Sequence, residues 1–355
     1  MAIRGIKRPV NRRRSPSCRS GDRKLADHTF IDLFSGAGLF SAGFVQAGLR
    51  PVLALDVDRL AIESYRRNVS SVAKVGSVAD KQPVPKADVV IAGPPCQGFS
   101  TLGRQDPLDA RNQLSSSIPA WIRESGCKIA VIENVPPYLG SSHWQALAKR
   151  LRGAGFSVTT WVLDAVDFGA PQLRKRAFTI ASRIGPVAAP SPSGLRIPAS
   201  IAFGPVAADD PLHTWPAPSD LAAARFAVVP PKGDKRDIMR DAPHLAPASW
   251  PAVGCNATDV WGRIDETKPA NTIRCTFQNP SKGRYLHPEA DRVISLREGA
   301  RLQGVPDSWT FAGRPYPIAR QIGNGVPIPL AAAVARSVAQ ALQRQQGTSS
   351  QSEAA

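Results

Sequence analysis

The chain has 355 residues, 43% of them hydrophobic, and a formal net charge of +17. That length allows one large domain, or a large and a small one, around a packed core. No apolar run reaches the roughly 18 residues of a membrane span and the N-terminus lacks a secretory apolar core, so no membrane role is expected and the cytoplasm is the expected compartment. Cys18, Cys96, Cys127, Cys255 and Cys275 are odd in number and far apart, and the five histidines are equally scattered. A disulfide framework or structural metal is therefore not indicated.

Residues 1–24 carry nine basic side chains against Asp22, a net +8, which leaves +9 of the total for the remainder. A basic arm joined to a basic body points to a polyanionic partner, nucleic acid first. The arm over 1–27 is expected to be disordered. After it the pattern predicts a strand at 29–34, a glycine turn at 36–38, a helix at 39–47, a strand at 51–55, a helix at 59–68 and strands at 72–75 and 87–92. A helix beginning near Pro119, where a missing N–H costs least, precedes a strand at 128–132 and a helix at 143–151. Strands alternating with helices predict an α/β, doubly wound, mostly parallel sheet covered on both faces. The strands at 157–163 and 177–182 have only a short loop between them, so this terminal pair is expected to be antiparallel. From 183 to about 260 the periodicity fails, and 13 of the 33 prolines fall there. This stretch is expected to be an ordered but irregular smaller domain, with regular structure returning at 263–274. A helix at 295–302, a turn at Gly323-Asn324-Gly325, a helix at 328–343 and a disordered polar tail over 344–355 complete the reading.

Asp32-Leu33-Phe34-Ser35-Gly36-Ala37-Gly38 is a strand, then a glycine turn entering a helix, where backbone N–H groups can approach a ligand. A dinucleotide fingerprint would want a third glycine where Ser41 stands, so a nicotinamide or flavin oxidoreductase matches only in part. Asp56, about 20 residues on, suits ribose hydroxyls and hence an adenosine-bearing cofactor. Gly93-Pro94-Pro95-Cys96-Gln97-Gly98-Phe99-Ser100 places a thiol between φ-locked prolines and a glycine at a strand end. Taken alone, Cys96 would be an ordinary buried cysteine. Glu133-Asn134-Val135 ends another strand, and Gln172-Leu173-Arg174-Lys175-Arg176 sets two guanidiniums on one face. A thiol, a carboxyl and paired arginines at successive strand ends are the parts needed to activate an electron-poor ring.

These motifs, followed in order by Arg297-Glu298, Ala300-Arg301-Leu302-Gln303-Gly304 and Gln321-Ile322-Gly323-Asn324-Gly325-Val326-Pro327, make the chain resemble the cytosine-C5 DNA methyltransferases of bacterial type. The resemblance covers about residues 29–343 apart from the proline-rich stretch. It implies a Rossmann-like methyltransferase sheet, with the catalytic part over 28–182, a target recognition region over 183–262 and a return to the catalytic domain over 263–343. It implies S-adenosyl-L-methionine as cofactor and double-stranded DNA as partner, a cognate restriction endonuclease as a functional partner, and a monomer.

By the same resemblance Cys96 is the nucleophile, Glu133 the acid, and Arg176 with Arg174 the basic pair at the base. Asp32, Phe34, Ser35, Gly36, Gly38, Asp56, Val57, Ser77, Pro94, Asn324 and Val326 are assigned to the cofactor, and Gln97, Ser100, Arg111 and Gln172 to DNA. The family usually has glutamate where Asp56 stands, and an aspartate meeting the adenine amino group where this chain has Ser77. Two further readings are weighed: an RNA cytosine-C5 methyltransferase and a catalytically idle DNA-binding protein on the same fold. The tRNA-directed relatives carry Pro-Phe-Thr where this chain has Gly98-Phe99-Ser100, which favours DNA. An idle protein would have lost Cys96, Glu133 or Arg176, and all three are present.

Overall fold

The computed structural model of the chain describes residues 27–95, 115–252 and 259–352. Cys96, Gln97, Ser100 and Arg111 lie outside the described residues, as does the basic arm over 1–26.

Seven strands form one sheet in the order β3-β2-β1-β4-β5-β7-β6. They are β1 Thr29–Leu33, β2 Arg50–Asp56, β3 Ala73–Val75, β4 Val89–Ala92, β5 Ile129–Asn134, β6 Ser157–Asp164 and β7 Lys175–Ser182. The first five run parallel, and β7 lies antiparallel between β5 and β6. The expected antiparallel pair is present, because a loop, not a crossover helix, joins β6 to β7. The near-continuous apolar runs of β4 and β5 fit strands covered on both faces. The strand order reverses between β1 and β4, which opens a crevice at the C-terminal ends of the parallel strands.

The covering helices are α1 Leu39–Gln46, α2 Arg59–Asn68, α3 Ile118–Ser125 and α4 Ser142–Gly153. Asp58 caps α2 through the Leu60 and Ala61 amides, and Ser141 caps α4 through Trp144. Pro119 stands in the first turn of α3, where its missing N–H is tolerated.

In the proline-rich stretch the structure adds two longer helices, α5 Asp220–Val228 and α6 Lys235–Asp241, and a single helical turn at Ser249–Ala252, to otherwise irregular chain. A small core of Phe226, Val229, Ile238, Trp261, Leu286 and Val293 holds them. Arg225 stands over the rings of Trp250 and Trp261, and Arg292 over Trp215. Ala199, Ala202 and Leu212 instead share a core with Leu39 and Ile318. The proline-rich stretch is thus divided between two cores, because proline content does not mark which core a segment joins.

Three helices close the chain: α7 Leu296–Leu302, α8 Pro315–Asn324 and α9 Ile328–Ser352. Two sequence expectations are corrected here. Gly323 and Asn324 do not form a turn but end α8, with Gly325 as its extended cap. The tail expected from 344 is helical through Ser352, since its glutamines continue the helix and Gln346 reaches the ring of buried His28. The run Pro315–Gln346 is apolar and long enough to cross a bilayer, yet most of its apolar stretch is buried within the fold. Helix α9 crosses α1 so closely that a Cβ on Gly43 would lie 2.4 Å from the Ala331–Ala332 backbone. The end of the chain therefore packs beside its beginning.

Candidate active site

The strand register puts Asn134 opposite Ala177, so Glu133 and Arg176 stand at one end of the sheet. Arg176 Nε donates to Glu133 Oε1 at 2.8 Å, and both side chains are mostly buried. Burial pushes the Glu133 carboxyl above its ordinary range, while the charges of Arg176 and Arg174 pull it down. A carboxyl under these opposed influences can hold or release a proton as a bound group demands.

Beside this pair runs Gly93-Pro94-Pro95, the segment leading to Cys96. Gly93 donates its N–H to Leu33 O at 3.2 Å, and a Cβ there would lie 3.6 Å from Glu133 Oε2. The Asn134 amide donates to Pro94 O at 3.3 Å, anchoring the same segment from the other side. The backbone entering the thiol motif is thereby fixed between the end of β1 and the Glu133 carboxyl. Among the described cysteines, Cys127 is fully buried and burial pushes its thiol up to about 11, a setting for an inert thiol.

Across the crevice, the turn from β1 into α1 has open space. Phe34 adopts φ 62° and Gly36 φ 52°, and a Cβ on Gly36 would touch nothing. Asp56 Oδ2 accepts the Gly36 N–H at 2.8 Å and Oδ1 the Asp58 N–H at 2.9 Å, which ties the turn to the end of β2. Burial raises the Asp56 carboxyl, against those hydrogen bonds. Val57 is 69% exposed at this edge, and the buried Ser35 hydroxyl has no hydrogen-bond partner among the described residues. An exposed apolar platform and an unmet hydroxyl beside a carboxylate fit an adenosine-bearing group. Gly38, at φ 92°, packs on the Tyr65 ring.

Asn324 and Val326 lie beside this turn because Gly325 packs directly on Leu39 of α1. Ser77 hydrogen-bonds within its own loop, its hydroxyl accepting from Ala79 and its N–H donating to Asp80. Asp32 is only 1% exposed and lies beneath the turn rather than facing the crevice. Ser41 donates to its carboxylate at 2.6 Å and shares a 2.7 Å hydrogen bond with the Tyr65 hydroxyl. The serine that broke the glycine fingerprint is thus the one that serves a buried carboxyl.

Two further expected site residues sit away from the crevice. Gln172, expected to meet DNA, is fully buried: its amide donates to Leu302 O and Gln303 Oε1 and accepts the Ile273 N–H. Its position at the strand start faces the returning chain instead of solvent. Arg174 is also buried, donating to Ile273 O at 2.6 Å and Gly323 O at 2.7 Å. Its charge reaches Glu133, but its hydrogen bonds join β7 to α8. Gln303 extends this lattice to Ile322 O at 2.6 Å. The motif spacing holds no sign of the burial of Gln303, which is 0% exposed.

An open sheet with a reversal at β1–β4, a glycine turn on one side of the crevice and an acid–arginine pair on the other, defines an enzyme of the Rossmann-like methyltransferase class. The profile of C-5 cytosine-specific DNA methylases matches residues 28–193 and 239–340, and the chain belongs to that family. The break in the match falls in the proline-rich stretch. Similar relatives include the type II methyltransferases M.XorII of Xanthomonas oryzae, 31% identical, and M1.HphI of Haemophilus parahaemolyticus, 30% identical. The alignments cover 88% and 87% of this chain, and 85% and 86% of those proteins. In fold the chain is similar to Entamoeba histolytica methyltransferase EhMeth (TM-score 0.65, 14% identity, covering 89% of this chain and 98% of that one). It is also similar to DNMT2 of Spodoptera frugiperda (TM-score 0.62, 15% identity, 86% and 98%). The activity is DNA cytosine-5 methylation, in a family setting of restriction and modification.

Proposed function

We propose that the protein methylates C5 of a cytosine flipped from a specific duplex DNA sequence, through a covalent bond from Cys96 to C6. The observation that carries this reading is the Arg176–Glu133 pair at 2.8 Å, set against the anchored Gly93-Pro94-Pro95 segment from which Cys96 follows. Cytosine C5 is too weak a nucleophile to take a methyl group unaided. Attack of the Cys96 thiolate at C6 pushes the ring electrons toward N3 and C5, and Glu133 gives its proton to N3. Arg176 holds Glu133 in place and favours both the thiolate and the base O2. A stacked base cannot present C6 to a thiol, so the base must leave the duplex.

S-adenosyl-L-methionine supplies an electrophilic methyl group when bound. Phe34, Ser35, Gly36, Val57 and Asn324 would hold it, with Asp56 taking the ribose hydroxyls. Loss of the C5 proton to solvent water then expels the thiolate, and return of the N3 proton to Glu133 restores the neutral ring. The protein acts as a monomer, with a restriction endonuclease as its functional counterpart.

Sequencing bisulfite-converted DNA from cells expressing the protein identifies the target. A duplex bearing 5-fluorocytosine at that site has no C5 proton to lose, so it should stay joined to the wild-type protein and not to Cys96→Ser. Absence of a trapped complex would overturn the covalent mechanism. Methylation of tRNA in preference to the duplex would overturn the choice of DNA.

A further inference from the structure

Beneath the glycine turn lies a carboxyl that takes no part in the transfer of the methyl group. Asp32 is the penultimate residue of β1 and is 1% exposed, while Ser41 of α1 and Tyr65 of α2 are 0% exposed. Ser41 Oγ donates to Asp32 Oδ2 at 2.6 Å and lies 2.7 Å from the Tyr65 hydroxyl, so the carboxyl ends a chain of two hydroxyls. Among the described residues Ser41 is its one side-chain hydrogen-bond partner, and no lysine, arginine or histidine pairs with it. A carboxyl that exchanges water for one hydroxyl donor and no cation is held in its neutral form.

The neighbouring elements reinforce this setting. In the sheet Asp32 stands between Ala54 of β2 and Ile91 of β4, neither of which ionises. The ionisable groups facing it are Tyr65 from α2 and, two residues past Ala54, Asp56 from β2, with Asp58 behind it; from α1 only the Ser41 hydroxyl meets it. Burial pushes the Asp32 carboxyl up to about 8, and the charge of Asp56 adds to that. Asp56 also accepts the Gly36 N–H at 2.8 Å, so a charge seated at the turn acts on Asp32. A cation at the same turn acts with the opposite sign. At about 10 Å and an effective dielectric of about 20, a unit charge changes the proton affinity of a carboxyl roughly tenfold.

We propose that Asp32 is a specificity-determining residue for the cofactor: it gives up its proton to solvent when the sulfonium of S-adenosyl-L-methionine occupies the crevice, and keeps it when the neutral thioether product does. The carboxylate left behind balances the sulfonium charge, and Ser41 and Tyr65 turn their O–H groups along the chain toward it. S-adenosyl-L-homocysteine carries no such charge and gains nothing from the ionised form. Raising the pH toward 8 therefore favours fresh cofactor over spent.

This inference rests on the reading of S-adenosyl-L-methionine as cofactor, and it concerns binding, so the test needs no turnover. Titration calorimetry of wild type with each ligand, without DNA and in buffers of different ionisation enthalpy, counts the protons released. At pH 7 S-adenosyl-L-methionine should release about half a proton more than S-adenosyl-L-homocysteine, and at pH 5, where both complexes keep the proton, the difference should vanish. Between pH 6 and 8 the ratio of the two affinities should rise about fivefold or more in favour of S-adenosyl-L-methionine. Asp32→Asn, which keeps the acceptor for Ser41, should abolish both effects, and it measures any proton exchanged by the ligand's own amino group. Equal proton release by the two ligands in wild type at pH 7, or a difference that persists in the variant, overturns the role of Asp32. The wild-type comparison decides even if the variant fails to fold. Failure of wild type to bind either ligand would instead strike the cofactor reading itself, and the inference with it.

Discussion

Burial dominates at Asp32, where it pushes the carboxyl up to about 8, against the Ser41 hydrogen bond and with a further push from Asp56. An unfolded aspartate titrates near 4, so between about pH 4 and 8 the folded state holds a proton that the unfolded state has lost. The stability this group contributes is full below pH 4 and is lost as pH rises through 8. Asp32→Asn, which keeps the shape and the acceptor for Ser41, should flatten the fall in Tm across pH 5 to 8; thermal melts at closely spaced pH values would show it, and an unaltered slope would refute the assignment. At Glu133 the expectation concerns rate. Glu133→Gln should lower kcat by about 10²- to 10⁴-fold, the usual range for losing a general acid, with cofactor KM little changed in steady-state assays. Motif order, not residue identity, singles out Glu133 and Arg176, since a lone carboxyl or guanidinium at a strand end is more often a cap or a solvated side chain. It misdirected Gln172, because an amide that reads a base and one that ties backbone together look alike in sequence.

Among elements, the joints matter more than the pieces. Gln172, Arg174 and Gln303 tie the start of β7 to the end of α7 and the last turn of α8, all through buried side chains on backbone groups. Gln172→Ala should cost about 1–3 kcal/mol, since it strands a buried N–H and carbonyl, while leaving affinity for nonspecific DNA unchanged. Chemical denaturation and a filter-binding isotherm on the same preparation separate these outcomes. The α1–α9 crossing is equally exposed to change. Gly43→Ala would drive a methyl into the Ala331–Ala332 backbone, which cannot yield as a side chain does, and should cost about 1–3 kcal/mol. At about 2–4 °C per kcal/mol, calorimetry would see a drop in Tm of several degrees.

At the scale of the whole molecule, an ion pair ties Asp210 of the proline-rich stretch to α7. Arg297 of α7 is 3% exposed and donates from Nε to Asp210 Oδ2 at 2.6 Å and from Nη2 to Oδ1 at 3.2 Å. Removing one partner of such a pair costs about 3–5 kcal/mol. Asp210→Ala should therefore loosen the packing of the proline-rich stretch on α7, and, if that stretch reads the target as proposed, methylation of target over near-target duplexes should become less selective. Competition assays with singly mismatched duplexes measure that ratio, and undiminished selectivity would show that Arg297 serves stability alone.

The order of motifs and the alternation of strands with helices determined the class of fold and the family, because those features are local in the chain or require particular functional groups. Tertiary structure decided what lies buried and what meets what. Neighbours brought together across 130 residues, as Gln172 is to Leu302, leave no periodic trace in sequence. That is why the helix through Asn324, the two-core division of the proline-rich stretch and the covered Asp32 emerge only once the chain is folded.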